Sequence, residues 1–309
     1  QLDLDRIPFP DVTLLPKGVL YYNPLIERFP YMTTTTSKGC PAKCTFCTAP
    51  YFDGMSVRFQ SAKYMVEEAR YFAEHGIREI YFRDDTFFVH KKRDHEFCRR
   101  LVEEKLDLRW IGNARVSQID KETMELARAA GCHVVKFGVE SGDQAVLDRM
   151  RKGYRVAQAY DVFRWAKEVG IETHAHVMLG NPGDTVETIR RTIDFVLELD
   201  PTTATFGICT PYPGTPLYEE VRRVHPEIGD LTFGATSDFS RLHRAGEYNH
   251  VFCDAPRDFL EKSVQTAYRR FYLRPDYWMK TVRRVSGWSD MRRFGLAGTR
   301  VVDYALFGS

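Results

Sequence analysis

Hydrophobic and polar residues exchange along this chain with two different periods. Six short runs are rich in β-branched and aromatic residues or alternate with period two: "YMTTTT" (31–36), "IREIYFR" (77–83), "LRWIGNA" (108–114), "HVVKFGVE" (133–140), "IETHAHVML" (171–179) and "TATFGIC" (203–209). Most of them are separated by segments of helical period. In "DTVETIRRTIDFVLEL", Val186, Ile189, Ile193 and Val196 make one apolar stripe, Asp184 stands at a capping position and Glu187 follows three residues on as in a capping box. Strand starts 25 to 46 residues apart, with helices between them, predict right-handed β/α units on a parallel sheet. Six such units fit the chain, not eight.

Side chains alternate across a strand, so each run has two faces. In 171–179, Ile171, Thr173, Ala175, Val177 and Leu179 oppose Glu172, His174, His176 and Met178. In 133–140, Val135, Phe137 and Val139 oppose Lys136, Gly138 and Glu140, and in the preceding strand Arg109, Asn113 and Arg115 share a face. The apolar sets are expected to pack on helices and the polar sets to point inward. A closed eight-stranded barrel fills its interior with branched apolar residues. The pattern therefore predicts an α/β fold, a partial (β/α)6 barrel whose hollow holds polar ligands at the carboxyl ends of its strands. Residues 1–30 read as a proline-punctuated, linker-like segment, 31–225 as the barrel and 226–309 as a mostly helical C-terminal extension.

Composition narrows the setting. The 309 residues carry 44 Lys and Arg against 42 Asp and Glu, a net charge near +2, so nothing global points to nucleic acid. Seven cysteines, an odd number, with no apolar run of roughly 18 residues or more, suit a reduced, cytoplasmic compartment better than a disulfide framework. The chain opens on Gln1 rather than Met and is read as a piece of something longer.

Three of the cysteines, Cys40, Cys44 and Cys47, fall within "SKGCPAKCTFCTAPYF", just after the first strand and hence at the barrel mouth. A structural zinc site takes four ligands, usually as two pairs, and this run offers three with no local fourth. The spacing suits a [4Fe-4S] cluster with one iron left open, since such clusters normally take four cysteines. The other reading is three small buried residues. Cys98 and Cys132 lie in or beside helical segments and are expected to pack. Cys209, at the end of the last strand, is left open to a role, and Cys253 has none assigned.

"CPAKCTFC", with Phe46 before the third cysteine, resembles the signature of radical S-adenosylmethionine enzymes. "YFRDDTF", "FGVESG", "HVMLGNPGDT" and "TPYPGTPLYEE" continue the resemblance in order, closest to the group that contains the anaerobic Mg-protoporphyrin ester cyclase and cobalamin-dependent radical methyltransferases. The resemblance implies a cluster held by Cys40, Cys44 and Cys47 and S-adenosylmethionine at its open iron. It further implies a deoxyadenosyl radical, a one-electron reductant of the flavodoxin or ferredoxin type, and cobalamin as a third cofactor in the methylating members. Asp84 and Asp85 stand where a Gly-Gly-Glu pattern would lie, so either is expected to receive the methionine amino group. Arg115 is a partner for the methionine carboxylate or half of a surface salt bridge. Glu140 and Ser141 are expected at the ribose hydroxyls or in a plain strand-end turn, and Gly180 with Gly183 beside the adenosine, where Asp184 is equally a helix cap.

His174 and His176 share the inward face and serve as acid, base or ligand, or as hydrogen-bonded fillers. The expected reaction is methylation of an unactivated carbon in a small-molecule or lipid-like substrate. The alternatives are an oxidative cyclase or rearrangement enzyme, or a methylthiotransferase-like modification enzyme, although the RNA-binding module of the latter is not recognisable. Segment 268–300 has nine Lys and Arg against two Asp with interleaved aromatics, which reads as a helical cover over the mouth or as a peripheral membrane contact.

Overall fold

Parallel pairing runs through a single sheet of six strands in this computed structural model, which describes residues 3–16, 21–226, 228, 246–285, 287, 291, 295, 298, 299 and 301–305. In chain order the elements are β1 (Tyr31–Thr34), β2 (Ser37–Lys38), α1 (Ala49–Phe52), β3 (Arg58–Phe59), α2 (Ala62–Glu74), β4 (Glu79–Phe82), α3 (Lys91–Glu104), β5 (Arg109–Ala114) and α4 (Lys121–Ala129). They continue with β6 (Cys132–Glu140), α5 (Gln144–Arg149), α6 (Val156–Val169), β7 (Glu172–Leu179), α7 (Val186–Leu199), β8 (Thr203–Ile208), α8 (Pro216–Val224), α9 (Arg257–Tyr272) and α10 (Pro275–Arg284). The sheet order β1-β4-β5-β6-β7-β8 is the order of the six predicted runs, so each β/α unit adds one strand beside the last. Two short strands, β2 and β3, pair antiparallel outside that sheet and carry no period of their own in the sequence.

The predicted faces hold. Val135, Phe137 and Val139 of β6 and Ala175, Val177 and Leu179 of β7 are buried in the main core with the helices outside the sheet. Helix α7 keeps its apolar stripe, but its cap differs from the expectation. Thr185 is the N-cap and forms the box with Thr188, while Asp184 accepts from the Asn181 N–H at 2.8 Å and from the Thr188 hydroxyl at 2.7 Å. A carboxylate one residue earlier thus ties the strand-end loop to the helix instead of capping it.

The two ends of the barrel are closed in different ways. Helix α9 packs along β8, the last strand, where the sequence reading placed a cover over the mouth. The Tyr272 hydroxyl accepts from the Ala204 N–H at 3.0 Å and donates to its carbonyl at 2.6 Å, and the Tyr268 hydroxyl accepts from the Phe206 N–H at 3.3 Å. Edge-strand groups that would otherwise seek another strand are satisfied by side chains. Parts of the expected extension and of the 268–300 surface, namely 227, 229–245, 286, 288–290, 292–294, 296, 297, 300 and 306–309, lie outside the described residues. Among the described residues no helix is long and apolar enough to cross a membrane.

At the base, residues 21–30 pack into the barrel, although the sequence reads as a linker there. Ile26 is fully buried against Tyr81, Ile111 and Val134. The Glu79 carboxylate, itself unexposed, accepts the N–H groups of Glu27 and Arg28 at 2.9 and 2.8 Å. His133 Nε2 lies 2.8 Å from Glu79, and its Nδ1 3.6 Å from Glu27. Burial disfavours the imidazolium, but the hydrogen bond to Glu79 and the negative charge of Glu27 beside it outweigh it and push His133 up to about 8. A raised folded-state pKa contributes stability that is complete below the ordinary histidine value and is lost as pH rises through 8, roughly 2 kcal/mol in all. Urea unfolding between pH 6 and 9 should show that loss, and the His133→Gln variant should lack it. An unchanged pH slope in the variant would refute the assignment.

Candidate cofactor site at the barrel mouth

The cysteine loop is fixed at its start by one carboxylate. Asp84, just past β4, has no exposure and accepts from the Thr36 N–H at 2.7 Å, the Thr36 hydroxyl at 2.9 Å, the Ser37 hydroxyl at 3.0 Å and the Ser37 N–H. The Asp84 carbonyl accepts from the Asn113 side-chain amide at 2.7 Å. Strands β2 and β3 then clamp residues 39–57 into a loop over the mouth. Gly39 has φ +97°, and a Cβ there would lie 2.7 Å from the Gly54 carbonyl, which accepts the Cys40 N–H at 3.2 Å. On its far side the loop is tied down by Thr45, whose N–H donates to the Met150 carbonyl and whose carbonyl accepts the Leu217 N–H, both at 3.0 Å.

Cys40, Cys44 and Cys47 are free thiols that together line a cavity of about 440 Å³. Burial pushes the Cys40 thiol up and the Cys47 thiol up to about 11, so both keep their protons at neutral pH until a metal displaces them. The sulfurs are not gathered within 4.8 Å of one another. One zinc ion would draw thiolates to roughly 4 Å from each other. Three thiols, with no fourth cysteine, histidine or carboxylate gathered on them among the described residues, suit a cluster with one iron left open better than a four-ligand zinc site. The Arg115 guanidinium donates to Cys44 Sγ at 3.4 Å and to the Lys152 carbonyl, so it belongs to the cysteine loop, and among the described residues it makes no salt bridge. The group that does gather within 4.8 Å among the described residues is His95, Asp120 and Glu122, where Lys91 already neutralises both carboxylates at 2.6 and 3.0 Å.

The opposite wall is the end of β6. Its pairing with β7 is irregular between Gly138 and Glu140, and Glu140 takes φ +64°. Its carboxylate pairs with Lys152 at 2.7 Å, both side chains buried, and the Lys152 ammonium lies 5.7 Å from the Phe46 ring centre. A Cβ at Gly138 would stand 2.5 Å from the carboxylate and 2.7 Å from the ammonium, so glycine there is what admits the pair. A second hollow of about 330 Å³ shares Phe46, Glu140 and His176 with the first and runs along Met178, Phe206 and Tyr212.

Of the residues expected here, the three cysteines, Phe46, Asp84, Asp85, Arg115, Glu140 and His176 do line the main cavity. Asp84 nonetheless has its oxygens committed to Thr36 and Ser37, which leaves exposed Asp85 as the accessible carboxylate of the pair. Ser141 does not line the cavity: its hydroxyl lies 3.1 Å from Thr192 Oγ1 and accepts the Asp143 N–H, which is the strand-end turn of the two readings. Gly180 has a packing role of its own. Its φ of +74° and its close approach to Asn249 and Leu260 explain the glycine by packing, and it lines neither hollow. His174 is a hydrogen-bonded filler, with Nδ1 2.7 Å from Thr203 Oγ1 and Nε2 3.3 Å from Thr205 Oγ1. His176, with Nδ1 2.9 Å from Thr205 Oγ1, reaches both hollows. Burial, together with Lys136, Lys152 and Arg83, holds it down at about 4, and burial holds His174 well below its usual range, so neither ring is charged at neutral pH. Cys98 and Cys132 pack in the core as expected, Cys209 is buried there too, and Cys253 donates to the Asp184 carbonyl at 3.3 Å.

Sequence reasoning missed Arg83 and Lys152, and it left Lys136 and Asn113 as face markers only. Inward alternation gave a usable signal for Arg83, Lys136 and Asn113. Lys152 follows α5 in "MRKGY", and no local pattern announces that a residue there will reach back to β6.

The resemblance read from the motifs is borne out by comparison with known proteins. A model of the radical SAM superfamily matches residues 34–196, just over half of the chain. A protein of Pyrococcus horikoshii named as an uncharacterized methyltransferase is 31% identical over 282 residues, 91% of this chain and 59% of that protein. The anaerobic magnesium-protoporphyrin IX monomethyl ester cyclase of Rubrivivax gelatinosus is 28% identical over 279 residues, 88% of this chain and 47% of the cyclase. A radical S-adenosylmethionine methyltransferase from Kitasatospora setae, solved with cobalamin and a [4Fe-4S] cluster bound, superposes with a TM-score of 0.58 at 25% identity, covering 62% of this chain and 36% of that one. The chain spans about half the length of the curated relatives it matches. By that match, and with three thiols standing over a six-stranded parallel barrel, the chain belongs to the radical SAM superfamily.

Proposed function

We propose that this chain is the catalytic part of a cobalamin-dependent radical S-adenosylmethionine enzyme that methylates an unactivated carbon of a small molecule. The observation that carries the reading is the convergence of three buried or half-buried thiols with a free carboxylate and a guanidinium on one cavity at the strand ends. In this reading Cys40, Cys44 and Cys47 hold the [4Fe-4S] cluster and leave one iron for S-adenosylmethionine. Held there, a [4Fe-4S] cluster would supply the one-electron reduction of S-adenosylmethionine that yields methionine and a 5′-deoxyadenosyl radical.

The chain's own residues orient and shield. Asp85, exposed to the cavity, accepts the methionine amino group, and Arg115, beside Cys44, takes the carboxylate. Lys152 holds one Glu140 oxygen and leaves the other for a ribose hydroxyl. Phe46 under the Lys152 ammonium contributes an apolar wall that excludes water from the reacting centre. The chemistry asks no proton transfer of the protein, in keeping with histidines that stay neutral. The methyltransferase relatives and the cobalamin-bound neighbour support methyl transfer, and a flavodoxin- or ferredoxin-type protein would supply the electron. The cyclase relative, matched over 88% of this chain, supports oxidation without methyl transfer as the second reading.

Replacing Cys40, Cys44 or Cys47 by Ala should abolish the brown absorbance of the reconstituted protein and its formation of deoxyadenosine under reduction. A triple variant that still makes deoxyadenosine would end the reading. Asp85→Asn should weaken S-adenosylmethionine binding about ten- to hundred-fold, the worth of a charge-assisted hydrogen bond, while the iron content stays constant. Equal affinity by equilibrium dialysis would reassign the amino group. With cobalamin, reductant and methyl-labelled S-adenosylmethionine supplied to a metabolite extract, the label should enter a product as deoxyadenosine and S-adenosylhomocysteine form together. Product formation with deoxyadenosine alone would favour the oxidative reading.

A further inference from the structure

The cofactor assignment above leaves charge unbalanced deeper in the same cavity. Its lining carries four cations, Arg83, Arg115, Lys136 and Lys152. Glu140 neutralises Lys152, and the Asp84 oxygens are committed to Thr36 and Ser37. Asp85, the remaining carboxylate of the lining, is given to the methionine amino group in that reading, and S-adenosylmethionine brings one carboxylate, which Arg115 takes. Arg83 and Lys136 then have no carboxylate, and none among the described residues pairs with either. Both donate instead to the Tyr81 hydroxyl, Arg83 at 3.1 Å, and both lie over that ring, 4.9 and 5.1 Å from its centre. Tyr81 rests on the Ile26 plug, so the two cations are anchored over the barrel floor.

Register places Lys136 between Asn113 of β5 and His174 of β7, one pair below Gly138 and His176. The cations are therefore on the inner face and below the level of the cysteine loop. Lys136 is half-buried and Arg83 is exposed to the hollow, so the two like charges stand together with a ring face and a phenol as their partners among the described residues and with open space beside them for an anion. Neutral His176 stands near both, and an uncharged imidazole can donate its N–H to an anion without adding further charge.

We propose that Arg83 and Lys136 form the recognition point for an anionic group of the substrate, a carboxylate or a phosphate, which sets the substrate class as an acid held with its charged end at the barrel floor. The proposal rests on the radical S-adenosylmethionine reading for the allocation of Arg115. The anion turns the reacting carbon toward the mouth, and the Tyr81 hydroxyl holds both cations in place before the substrate arrives.

The test uses cluster-reconstituted protein saturated with S-adenosylmethionine and titrated calorimetrically with benzoate, phenylphosphonate and neutral benzamide. One of the anions should bind and benzamide should not, and the preferred anion tells a carboxylate site from a phosphate site. Arg83→Gln and Lys136→Gln should each weaken that binding about ten-fold or more, and Lys136→Arg should restore most of it. Competition between the anion and S-adenosylmethionine in the unmodified protein would overturn the proposal by giving these cations to the cofactor, and needs no variant to fold. Absence of binding by either anion, or unchanged affinity in both Gln variants with native circular dichroism, would overturn it as well. Deoxyadenosine formation by the unmodified protein is read from the same preparation: its failure counts against the cofactor reading, whereas the anion titration judges the floor.

Discussion

A single buried carboxylate determines where the thiols stand. A loop of nearly twenty residues that encloses no core of its own has to be held by its ends, and Asp84 holds the first of them through Thr36 and Ser37. An unexposed carboxylate is costly unless donors surround it, and here the donors are the backbone and hydroxyls that begin the loop. The same short segment after β4 is tied to β5, through Asn113 to the Asp84 carbonyl and through the Phe87 N–H to the Asn113 carbonyl at 2.8 Å. Behind it, Phe87 and Phe88 are buried with Trp110. The position of the cysteines over the mouth is therefore set by the core of the β4 and β5 units and transmitted through one side chain.

From base to mouth the barrel interior changes character. The base joins a polar group, Glu79 and His133 with Glu27 and Arg109, to an apolar one, with Ile26 inserted among Tyr81, Ile111 and Val134. Above it come Arg83, Lys136 and the two histidines, and above those the Glu140 and Lys152 pair beside the cysteine loop. Ile26 thus fills the bottom of the barrel beneath β4, β5 and β6. Burial and the neighbouring Lys136 keep the two histidines below their usual range, because a ring buried beside a cation does not readily take a further positive charge.

Strand alternation and helical stripes were legible because burial acts on them directly. The order of the six runs gave the order of the sheet, and the inward faces gave His176, Glu140 and Arg115. The cysteine spacing gave the donor set. What could not be read was how side chains of the same type divide their partners. Asp84 and Asp85 are adjacent and identical in sequence, yet one faces the backbone of the loop and the other the cavity. Ser141 and Gly180 looked like ligand-facing strand ends, but each meets a helix or a loop from far along the chain, Thr192 in one case and Asn249 in the other. The tight base was hidden for a similar reason, since a proline-punctuated segment looks like a linker until Glu79 and Ile26 are brought together.

The end of β6 shows how a small backbone irregularity makes a site from residues that alternation alone would leave apart. A regular strand would place a Cβ at position 138 where the Glu140 carboxylate and the Lys152 ammonium now meet. Glycine removes that obstacle, and the change of register between Gly138 and Glu140 with the left-handed backbone at Glu140 turns its side chain over the vacated space. A non-glycine residue in that conformation is costly, and persists where surrounding contacts over-determine it. Here those contacts are the buried ion pair with Lys152, and Arg115 adds a hydrogen bond to the Lys152 carbonyl. Because Arg115 also donates to Cys44, the strained strand end and the cysteine loop share one guanidinium, and a shift of either wall is felt by the other. The two sides of the cavity, one built from β1 and β4 and the other from β6, are in this way held at a fixed separation by side chains and not by the sheet alone.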